Sequence, residues 1–424
     1  MVQEGLFHEI LRTRQIFKNR EYLRPSYTPD ELPHREDQIK QLARILAAPL
    51  RGETPSNIFI YGKPGTGKTA CVNYVGKELE KVSDNAPFGV EVVYLNCEII
   101  NTPYRILARL SDHFIDKLKR SEEGGDQAVI PEKAPKTGWP MDEVYRIFFN
   151  ALDSRKQLGV VILDEVDKLV KKSGDDILYI LTRMNSDLKS SKVAVVGISN
   201  DTNFMEYLDP RVRSSLGQEE IVFPAYNALQ LADILRKRAE MSFVEGAVGI
   251  GVIDLCAAHA AREHGDARRA LDLLRVSGEI AESKNAEAVT TEHVMLAHLQ
   301  IERDKMVEVI KTLPAQSKLV LYSIVYLMER TPRRIVSGDV YSVYREKCIS
   351  TGNSVLTPRR VSDLISELDT LGIISATIIN KGRYGRTKEI KLNVHPTQVM
   401  AAIIEDLHGV SASTTSVAGT SFGF

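Results

Sequence analysis

The sequence has little cysteine and no long apolar run. Its four cysteines, Cys71, Cys97, Cys256 and Cys348, lie far apart with no paired spacing. That distribution argues against a disulfide framework or a zinc site and fits a reducing compartment. No apolar run approaches the roughly 20 residues that a membrane span needs, and the N-terminus lacks the apolar core of a signal peptide. We therefore expect a cytoplasmic protein without a membrane partner.

The chain also lacks an overall charge, since 424 residues carry a formal net charge of −1. No global field marks it as a nucleic-acid binder. The charge is unevenly spread, however. Residues 305–400 hold 15 Lys and Arg against 8 Asp and Glu, a balance of +7. This basic segment predicts where an anionic partner binds.

Short apolar runs alternate with helical patterns up to about residue 223. The runs are Asn57–Tyr61, Val90–Leu95, Gly159–Leu163 and Val193–Ile198. Such runs predict a parallel sheet buried on both faces by helices. Only helical patterns follow to about residue 305, and then three helices and a hairpin. We predict an α/β P-loop core over 1–225, an all-α lid over 226–304, a winged helix over 305–398 and a flexible tail over 399–424.

The segment GKPGTGKT at residues 62–69 fits the full P-loop pattern, between a predicted strand and a predicted helix. Its glycines let backbone N–H groups wrap phosphates, helped by the helix N-terminus. Lys68 supplies a point charge to the β- and γ-phosphates, and Thr69 offers a hydroxyl to Mg²⁺. The sequence therefore predicts ATP or ADP with Mg²⁺ as cofactors. The predicted nucleotide ligands of this segment are Gly65, Thr66, Gly67, Lys68 and Thr69.

Two further strands end in polar residues that suit ATP hydrolysis. The run VVILDE ends at Asp164, predicted to hold Mg²⁺ with Thr69, and at Glu165, predicted to orient or deprotonate the attacking water. The next strand ends at Asn200, which can donate to the γ-phosphate or the water. Spacing alone equally fits an asparagine that only ends a strand in a turn. Glu165, Asp164 and Asn200 are the predicted catalytic residues.

Several motifs occur in a fixed order along the chain. They are YTPDELPHRE at residues 27–36, GKPGTGKT, VVILDEVDKL, GISND, LDPRVRSSL, FPAY and GDARRALDLLR. The ordered set resembles the archaeal replication initiators related to the largest eukaryotic origin-recognition subunit and to the cell-division-cycle helicase loader. The resemblance covers about residues 10–400. It implies an AAA+ ATPase core with a lid and a C-terminal winged helix.

The resemblance also implies roles for three residues near the nucleotide. Tyr226 in FPAY packs against adenine, Arg238 lies nearby on the first lid helix, and Arg268 senses the γ-phosphate from the lid. Residues 29–35 border the base. Without the resemblance, Tyr226 is better interpreted as a core aromatic and Arg268 as an arginine on a helix surface.

The sequence departs from the family at the arginine finger. Ser215 stands where many relatives carry that arginine, which leaves Arg211 and Arg213 as candidates. Hydrolysis is therefore expected to be slow or to depend on a partner subunit. In initiators the segment corresponding to 101–139 holds a helical insertion that reaches DNA. Its cations fit either DNA contact or a solvated helix face: Arg105, Arg109, Lys117, Lys119 and Arg120.

The C-terminal segment predicts a winged helix whose third helix is the clearest. Thr357 caps it, Pro358 lies in its first turn and Gly372 ends it. Arg359 and Arg360 lie at its N-terminal end, which usually enters the major groove. One apolar stripe is expected to face the core: Val361, Leu364, Ile365, Leu368 and Leu371.

The tip of the following hairpin is rich in glycine and carries Lys381, Arg383 and Arg386. Such a tip suits contacts to phosphates and the minor groove. The alternative is a charged turn that only maintains solubility.

These features imply a DNA replication initiator that binds double-stranded origin DNA under the control of ATP. It is expected to be a weak ATPase that acts as a switch and helps recruit or load a replicative helicase of the minichromosome maintenance type, alongside other initiator subunits. One alternative is a clamp-loader-like ATPase, which would need a helical collar and usually a Ser-Arg-Cys finger. Another is a winged-helix transcription regulator with a passive nucleotide module.

Overall fold

The structure is a computed structural model that describes residues 15–25, 27–29, 31–51, 53–83, 89–122, 133, 135, 137–330, 334–380 and 386–403. For residues 49, 83, 120–122, 380 and 386 it describes the backbone alone. The chain divides into two compact units, residues 1–294 and 295–424. Among the described helices, none is both long and apolar enough to cross a membrane.

The first unit contains a five-stranded sheet in which every pair is parallel, in the order β2-β3-β4-β1-β5. The strands are β1 Ile58–Tyr61, β2 Gly89–Asn96, β3 Gln157–Asp164, β4 Lys192–Ser199 and β5 Glu219–Val222. The four predicted runs form the first four strands. The fifth has no apolar run because it is an edge strand in which only Ile221 is buried.

Seven helices accompany this sheet in the described part of the chain. They are α1 Glu36–Leu46, α2 Lys68–Ser83, α3 Pro103–Glu122, α4 Met141–Asp153, α5 Val166–Ser173, α6 Asp176–Arg183 and α7 Pro210–Leu216. Successive strand residues point to opposite faces. Ile58 and Ile60 join a core with α1 and α2, whereas Phe59 joins a second core with α3 and α4. The prediction of helices on both faces is confirmed.

Parallel strands bring three polar segments to one edge of the sheet. The P-loop follows β1, Asp164 ends β3 and Asn200 follows β4. The register pairs Tyr61 with Ser199 and Asn96 with Asp164, so these strands end at the same level. In open parallel sheets, ligands bind beyond the carboxyl ends of the strands.

The all-α lid is also confirmed. It comprises α8 Ala228–Ser242, α9 Val252–Arg262, α10 Ala267–Ser283 and the start of α11 Thr291–Thr312, within which the boundary of the units falls. Asn227 and Gln230 form a capping box at the start of α8. Asp266 caps α10 by accepting from the backbone N–H groups of Arg268 and Arg269.

The second unit has the predicted winged helix. Its elements are α12 Ala315–Arg330, β6 Ile335–Val336, α13 Ser337–Ser350, α14 Pro358–Thr370, β7 Ile374–Asn380 and β8 Arg386–Leu392. The three strands form an antiparallel sheet in the order β6-β8-β7. The two-residue strand β6 was not predicted, because two residues are too few to show an alternating pattern.

The third helix of this unit begins and ends as predicted. The Thr357 side chain accepts from the N–H of Arg360, and Gly372 has a φ of 73°. Four members of the predicted stripe are buried, but the prediction that Leu371 faces the core is wrong, because this residue is 45% exposed. Leu371 follows the last helical residue, Thr370, so the helical period no longer directs its side chain to the core.

Leu368 and Leu371 therefore give a matched pair of stability tests. Leu368 is fully buried, and Leu368→Ala should lower the free energy of unfolding by about 2–5 kcal/mol through lost burial and a cavity. Leu371→Ala should change it by less than about 0.5 kcal/mol, as an exposed substitution does. Urea unfolding of the full chain, followed by the helical signal, measures both. Equal losses would contradict the packing described for α14.

Candidate nucleotide site and nucleic-acid surface

The first unit contains a cavity of about 670 Å³ that reaches the P-loop, the ends of β3 and β4, and the lid. Of the segment 29–35, which the resemblance places beside the base, Pro29, Glu31, Leu32 and Pro33 line it. Every residue that the sequence analysis assigned singly to nucleotide binding or hydrolysis also lines it. They are Gly65, Thr66, Gly67, Lys68, Thr69, Asp164, Glu165, Asn200, Tyr226, Arg238 and Arg268. The tertiary structure thus brings together residues that are up to 203 positions apart in the chain.

The P-loop holds its own lysine in place. The Lys68 Nζ donates to the carbonyl oxygens of Gly62 and Lys63 at 2.7 and 2.8 Å, and to Asn200 Oδ1 at 2.8 Å. Burial lowers the pKa of Lys68 to about 8, although the Asp164 carboxylate opposes this shift. Asn200 thus contacts the P-loop lysine directly, and its predicted role in hydrolysis stays a prediction.

Asp164 lies at the centre of a second group of contacts. Its Oδ2 accepts from Thr69 Oγ1 at 2.7 Å and from the Tyr94 hydroxyl at 2.8 Å. Its Oδ1 accepts from the N–H of Glu165 at 2.9 Å. A hydroxyl and a carboxylate this close form the oxygen pair that Mg²⁺ prefers, so Thr69 and Asp164 fit the ion that the fold implies. Sequence reasoning missed Tyr94, since nothing in the strand β2 pattern singles it out.

Glu165 has the environment of a proton acceptor. Its backbone is left-handed, with a φ of 56°, and its Oε2 is buried without a hydrogen-bond partner among the described residues. Burial raises the pKa of Glu165, and the nearby carboxylates of Glu98, Asp164 and Asp167 raise it further. A carboxylate with a raised pKa at the edge of a cavity is a candidate general base.

Arg35 lies in the segment 29–35, which the resemblance places beside the base, but its own contacts were not predicted. Its side chain is 2% exposed, and no carboxylate in the described part of the chain forms an ion pair with it. Its guanidinium donates to the carbonyl oxygen of Thr66 in the P-loop at 2.9 Å and to that of Pro224 at 2.6 Å. It also lies over the ring of Tyr226, 3.9 Å from the centroid. The arginine therefore joins the P-loop to the segment that leads into the lid.

Tyr226 is held from several sides. Arg35 covers one face of its ring, and its backbone N–H donates to the Gly265 carbonyl at 3.3 Å. A Cβ at Gly67 would lie 2.9 Å from its hydroxyl. Only 5% of Tyr226 is exposed. At most one ring face is left for adenine, and the predicted packing against the base stays a prediction.

The lid meets the P-loop at the start of α10. The N–H of Ala267 donates to the Gly65 carbonyl at 3.1 Å, and a Cβ at Gly65 would overlap the Asp266 carboxylate. Arg268 lines the cavity, and its positive charge helps to lower the pKa of Lys68. Arg238, in contrast, donates to the carbonyl oxygens of Tyr22 and Tyr27.

The arginine-finger candidates lie elsewhere. Arg211 and Arg213 are exposed on α7 and are not among the residues that line the cavity. Arg211 pairs with Asp209 at 3.0 Å and lies over the Tyr179 ring, 5.3 Å from its centroid. Neither arginine serves the nucleotide site of its own chain in this arrangement, and the choice between them stays open.

The cations on the insertion helix α3 differ in their surroundings. Lys117 pairs with Glu91 at 2.8 Å, and Arg105 donates to the carbonyl of Ile99. Arg109 and Lys119 are exposed. The Arg120 side chain lies outside the described residues. Lys117 is therefore a contact between α3 and the edge strand β2, as well as a surface charge.

In the second unit, Arg359 and Arg360 are both exposed at the start of α14. The Arg360 guanidinium lies 3.6 Å from Glu367 and 3.9 Å from Asp363. Arg359 forms no ion pair with any described residue. At the hairpin tip, Lys381, Arg383 and the Arg386 side chain lie outside the described residues, so their predicted role stays a prediction.

A parallel sheet of this order, with a P-loop after β1, a helical lid and a separate winged helix, defines a AAA+ ATPase of the initiator type. Residues 31–196 match the AAA ATPase domain, residues 232–299 the Cdc6 AAA+ ATPase-type lid domain, and residues 308–402 the CDC6 C-terminal winged helix domain.

Sequence comparison with named relatives identifies the family. It is 55% identical to ORC1-type DNA replication protein 1 of Methanosarcina mazei, over 95% of this chain and 94% of that one. It is 57% identical to the ORC1-type DNA replication protein of Pyrococcus abyssi, over 93% and 92%. The structure of the Aeropyrum pernix ORC1 protein in complex with DNA matches with a TM-score of 0.72 and 43% identity, over 94% and 99%. The chain belongs to the ORC1-type DNA replication proteins, the Orc1/Cdc6 family of replication initiators.

Arg35→Lys should destabilise the protein even though it keeps the positive charge. A lysine cannot donate to the Thr66 and Pro224 carbonyls together while lying flat on Tyr226, so at least one buried acceptor loses its partner. We expect a loss of about 1–3 kcal/mol in the free energy of unfolding. Chemical denaturation without nucleotide measures it. Arg44→Lys on α1, at an exposed position, is the matched control. Equal stability of the two variants would contradict the bridging role.

Proposed function

We propose that this protein is an ATP-dependent replication initiator that binds origin DNA and helps recruit or load the replicative helicase. The observation that carries this proposal is the convergence of Lys68, Thr69 and Asp164 in one cavity against the lid, in a chain of the Orc1/Cdc6 family. A site that contacts both core and lid can couple the bound nucleotide to their arrangement.

ATP would bind with its phosphates on the P-loop. Lys68 would exchange its carbonyl partners for β- and γ-phosphate oxygens, and Thr69 with Asp164 would hold Mg²⁺. The ion, when bound, neutralises phosphate charge. Glu165 would accept a proton from the attacking water, while Asn200 orients the γ-phosphate or that water. Arg268 would contact the γ-phosphate from the lid, so ATP and ADP would favour different lid positions.

DNA would bind through the winged helix. Arg359 is exposed at the N-terminal end of α14, and the segment 305–400 carries a charge balance of +7. The DNA complex of the Aeropyrum pernix ORC1 protein supports the same chemistry here. Origin duplex, other initiator subunits and a helicase of the minichromosome maintenance type are the partners that we propose. Because the finger candidates lie away from the cavity, hydrolysis by a lone subunit would be weak.

Glu165→Gln should bind ATP with nearly unchanged affinity and lose hydrolysis by at least roughly 100-fold, as expected when a general base is removed. Nucleotide binding by calorimetry and phosphate release measure the two effects. Glu206→Gln, an exposed carboxylate outside the cavity, should leave both unchanged. Hydrolysis by Glu165→Gln at the wild-type rate would show that another group accepts the proton.

Arg359→Ala should weaken binding to origin duplex more than binding to random duplex. The difference should be about 1–3 kcal/mol if the Arg359 side chain contacts one base. Glu367→Gln should instead strengthen DNA binding, since it removes a negative charge and the ion-pair partner of Arg360. Salt titrations of both duplexes measure these effects, together with footprinting on genomic DNA with and without ATP. Unchanged binding by Arg359→Ala would favour a protein-contact role for the winged helix. Protection of scattered promoters in place of origins would favour the transcription regulator.

A further inference from the structure

An N-terminal segment, residues 15–31, crosses the lid before it reaches the nucleotide cavity; we call it the strap. Its first part is anchored on the lid, because Ile16 and Phe17 are almost fully buried there. Its second part forms a wall of the cavity that combines Tyr27 and two prolines with polar and charged residues. That wall includes Arg24, Pro25, Tyr27, Thr28, Pro29 and Glu31. Residues 26 and 30 lie outside the described residues.

Glu282, near the end of α10, forms the first anchor. Its Oε1 accepts from the backbone N–H groups of Ile16 and Phe17 at 3.0 and 3.4 Å, and its Oε2 pairs with the Arg20 guanidinium. The side chain is 15% exposed. A shielded carboxylate with two amide donors and one cation forms charge-assisted hydrogen bonds, which are stronger than neutral ones. This single side chain therefore fixes the backbone at the start of the strap.

Gly278, one turn earlier on α10, forms the second anchor. The rings of Phe17 and Phe243 lie 4.6 Å apart over it. A Cβ at Gly278 would lie 2.3 Å from the Phe17 ring and 2.9 Å from the Phe243 ring. The close approach of Phe17 to α10 therefore requires glycine, although glycine costs about 1 kcal/mol relative to alanine inside a helix.

The helix α8 continues the attachment towards the cavity. The N–H of Lys18 donates to the Ser242 carbonyl at 2.7 Å, and the Arg238 guanidinium donates to the carbonyls of Tyr22 and Tyr27 at 3.1 and 3.4 Å. Arg238 also lies over the Tyr27 ring, 4.5 Å from its centroid. Glu31 pairs with Lys237 at 2.6 Å. The strap is thus bound along the lid, from its anchors to the cavity wall.

The division of the cavity follows from its chemistry. The phosphates of a nucleotide would bind at Lys68 and Thr69, which supply the ammonium group and the hydroxyl. The base of the nucleotide then faces the remaining wall, which the strap supplies with Tyr27, Pro25 and Pro29. We propose that Glu282 and Gly278 are positioning residues, which hold the strap on the lid and thereby set the affinity of the site for the base of an adenine nucleotide. The inference rests on the nucleotide binding proposed above.

The test compares a ligand with a base and a ligand without one. ADP and pyrophosphate are titrated calorimetrically into the wild type, Glu282→Gln and Gly278→Ala, which disturb the strap by unrelated means. We expect Glu282→Gln to weaken ADP binding about tenfold, the effect of losing one charge-assisted hydrogen bond, and pyrophosphate binding less than twofold. Gly278→Ala should shift the affinity for both ligands in the same direction as Glu282→Gln does, because its Cβ displaces the Phe17 ring. Both variants should also speed trypsin cleavage after Arg20, because the released strap is accessible.

Two further variants serve as controls. Glu279→Gln alters a carboxylate on the same helix that pairs with Arg275, and it should bind ADP as the wild type does. Arg20→Ala removes one half-exposed partner of Glu282, which also lies over the Phe17 ring, and leaves every buried side chain in place, so it keeps the inference testable if the other variants do not fold. It should weaken ADP by a smaller factor than Glu282→Gln.

The outcomes distinguish failure of the strap inference from failure of the proposed nucleotide binding. Equal loss for ADP and pyrophosphate would mean a general disturbance of the unit and would overturn the inference. Wild-type ADP affinity in Arg20→Ala and in a folded Glu282→Gln would also overturn it. A wild-type protein that binds neither ligand would instead overturn the proposed nucleotide function.

Discussion

The nucleotide cavity depends on one buried cation, Arg35. A charge removed from water is costly unless polar partners replace the hydration that it loses. Here the partners are carbonyl oxygens of the P-loop and of Pro224, together with the face of Tyr226. Because its partners come from the P-loop and from the segment that holds Pro224 and Tyr226, the need to satisfy one guanidinium fixes the P-loop and the entry to the lid relative to one another.

The lid is connected to the nucleotide site at three places. It contacts the P-loop through Ala267 and Gly65, it carries Arg268 towards Lys68, and it holds the strap through Glu282. Any change in lid position must therefore alter the phosphate-binding and the base-facing parts of the cavity together. In this way a small ligand can influence a domain-sized movement, provided that its affinity for two lid positions differs.

Much of the site was predictable because its chemistry is local. The P-loop pattern requires glycines and a lysine at fixed spacing, and an apolar strand ending in Asp164 and Glu165 is a recognisable sequence feature. Arg35, Tyr94 and Glu282 could not be identified in the same way. The partners cited here are between 31 and 266 positions away, and spacing along one strand or helix says nothing about such contacts. The prediction that Leu371 is buried failed for a related reason, since helical periodicity applies only while the helix continues.

The sequence by itself determined the element types, the P-loop motif, the position of the carboxylates proposed for catalysis and the family, because periodicity and short motifs encode local backbone geometry and chemistry. Only the tertiary structure decided which side chains meet. It joined Asn200 to Lys68, covered one face of Tyr226 with Arg35 and seated Phe17 against Gly278. These contacts depend on sheet order, helix packing and the space left by a missing Cβ. All three arise only when distant segments compete for the same interior volume.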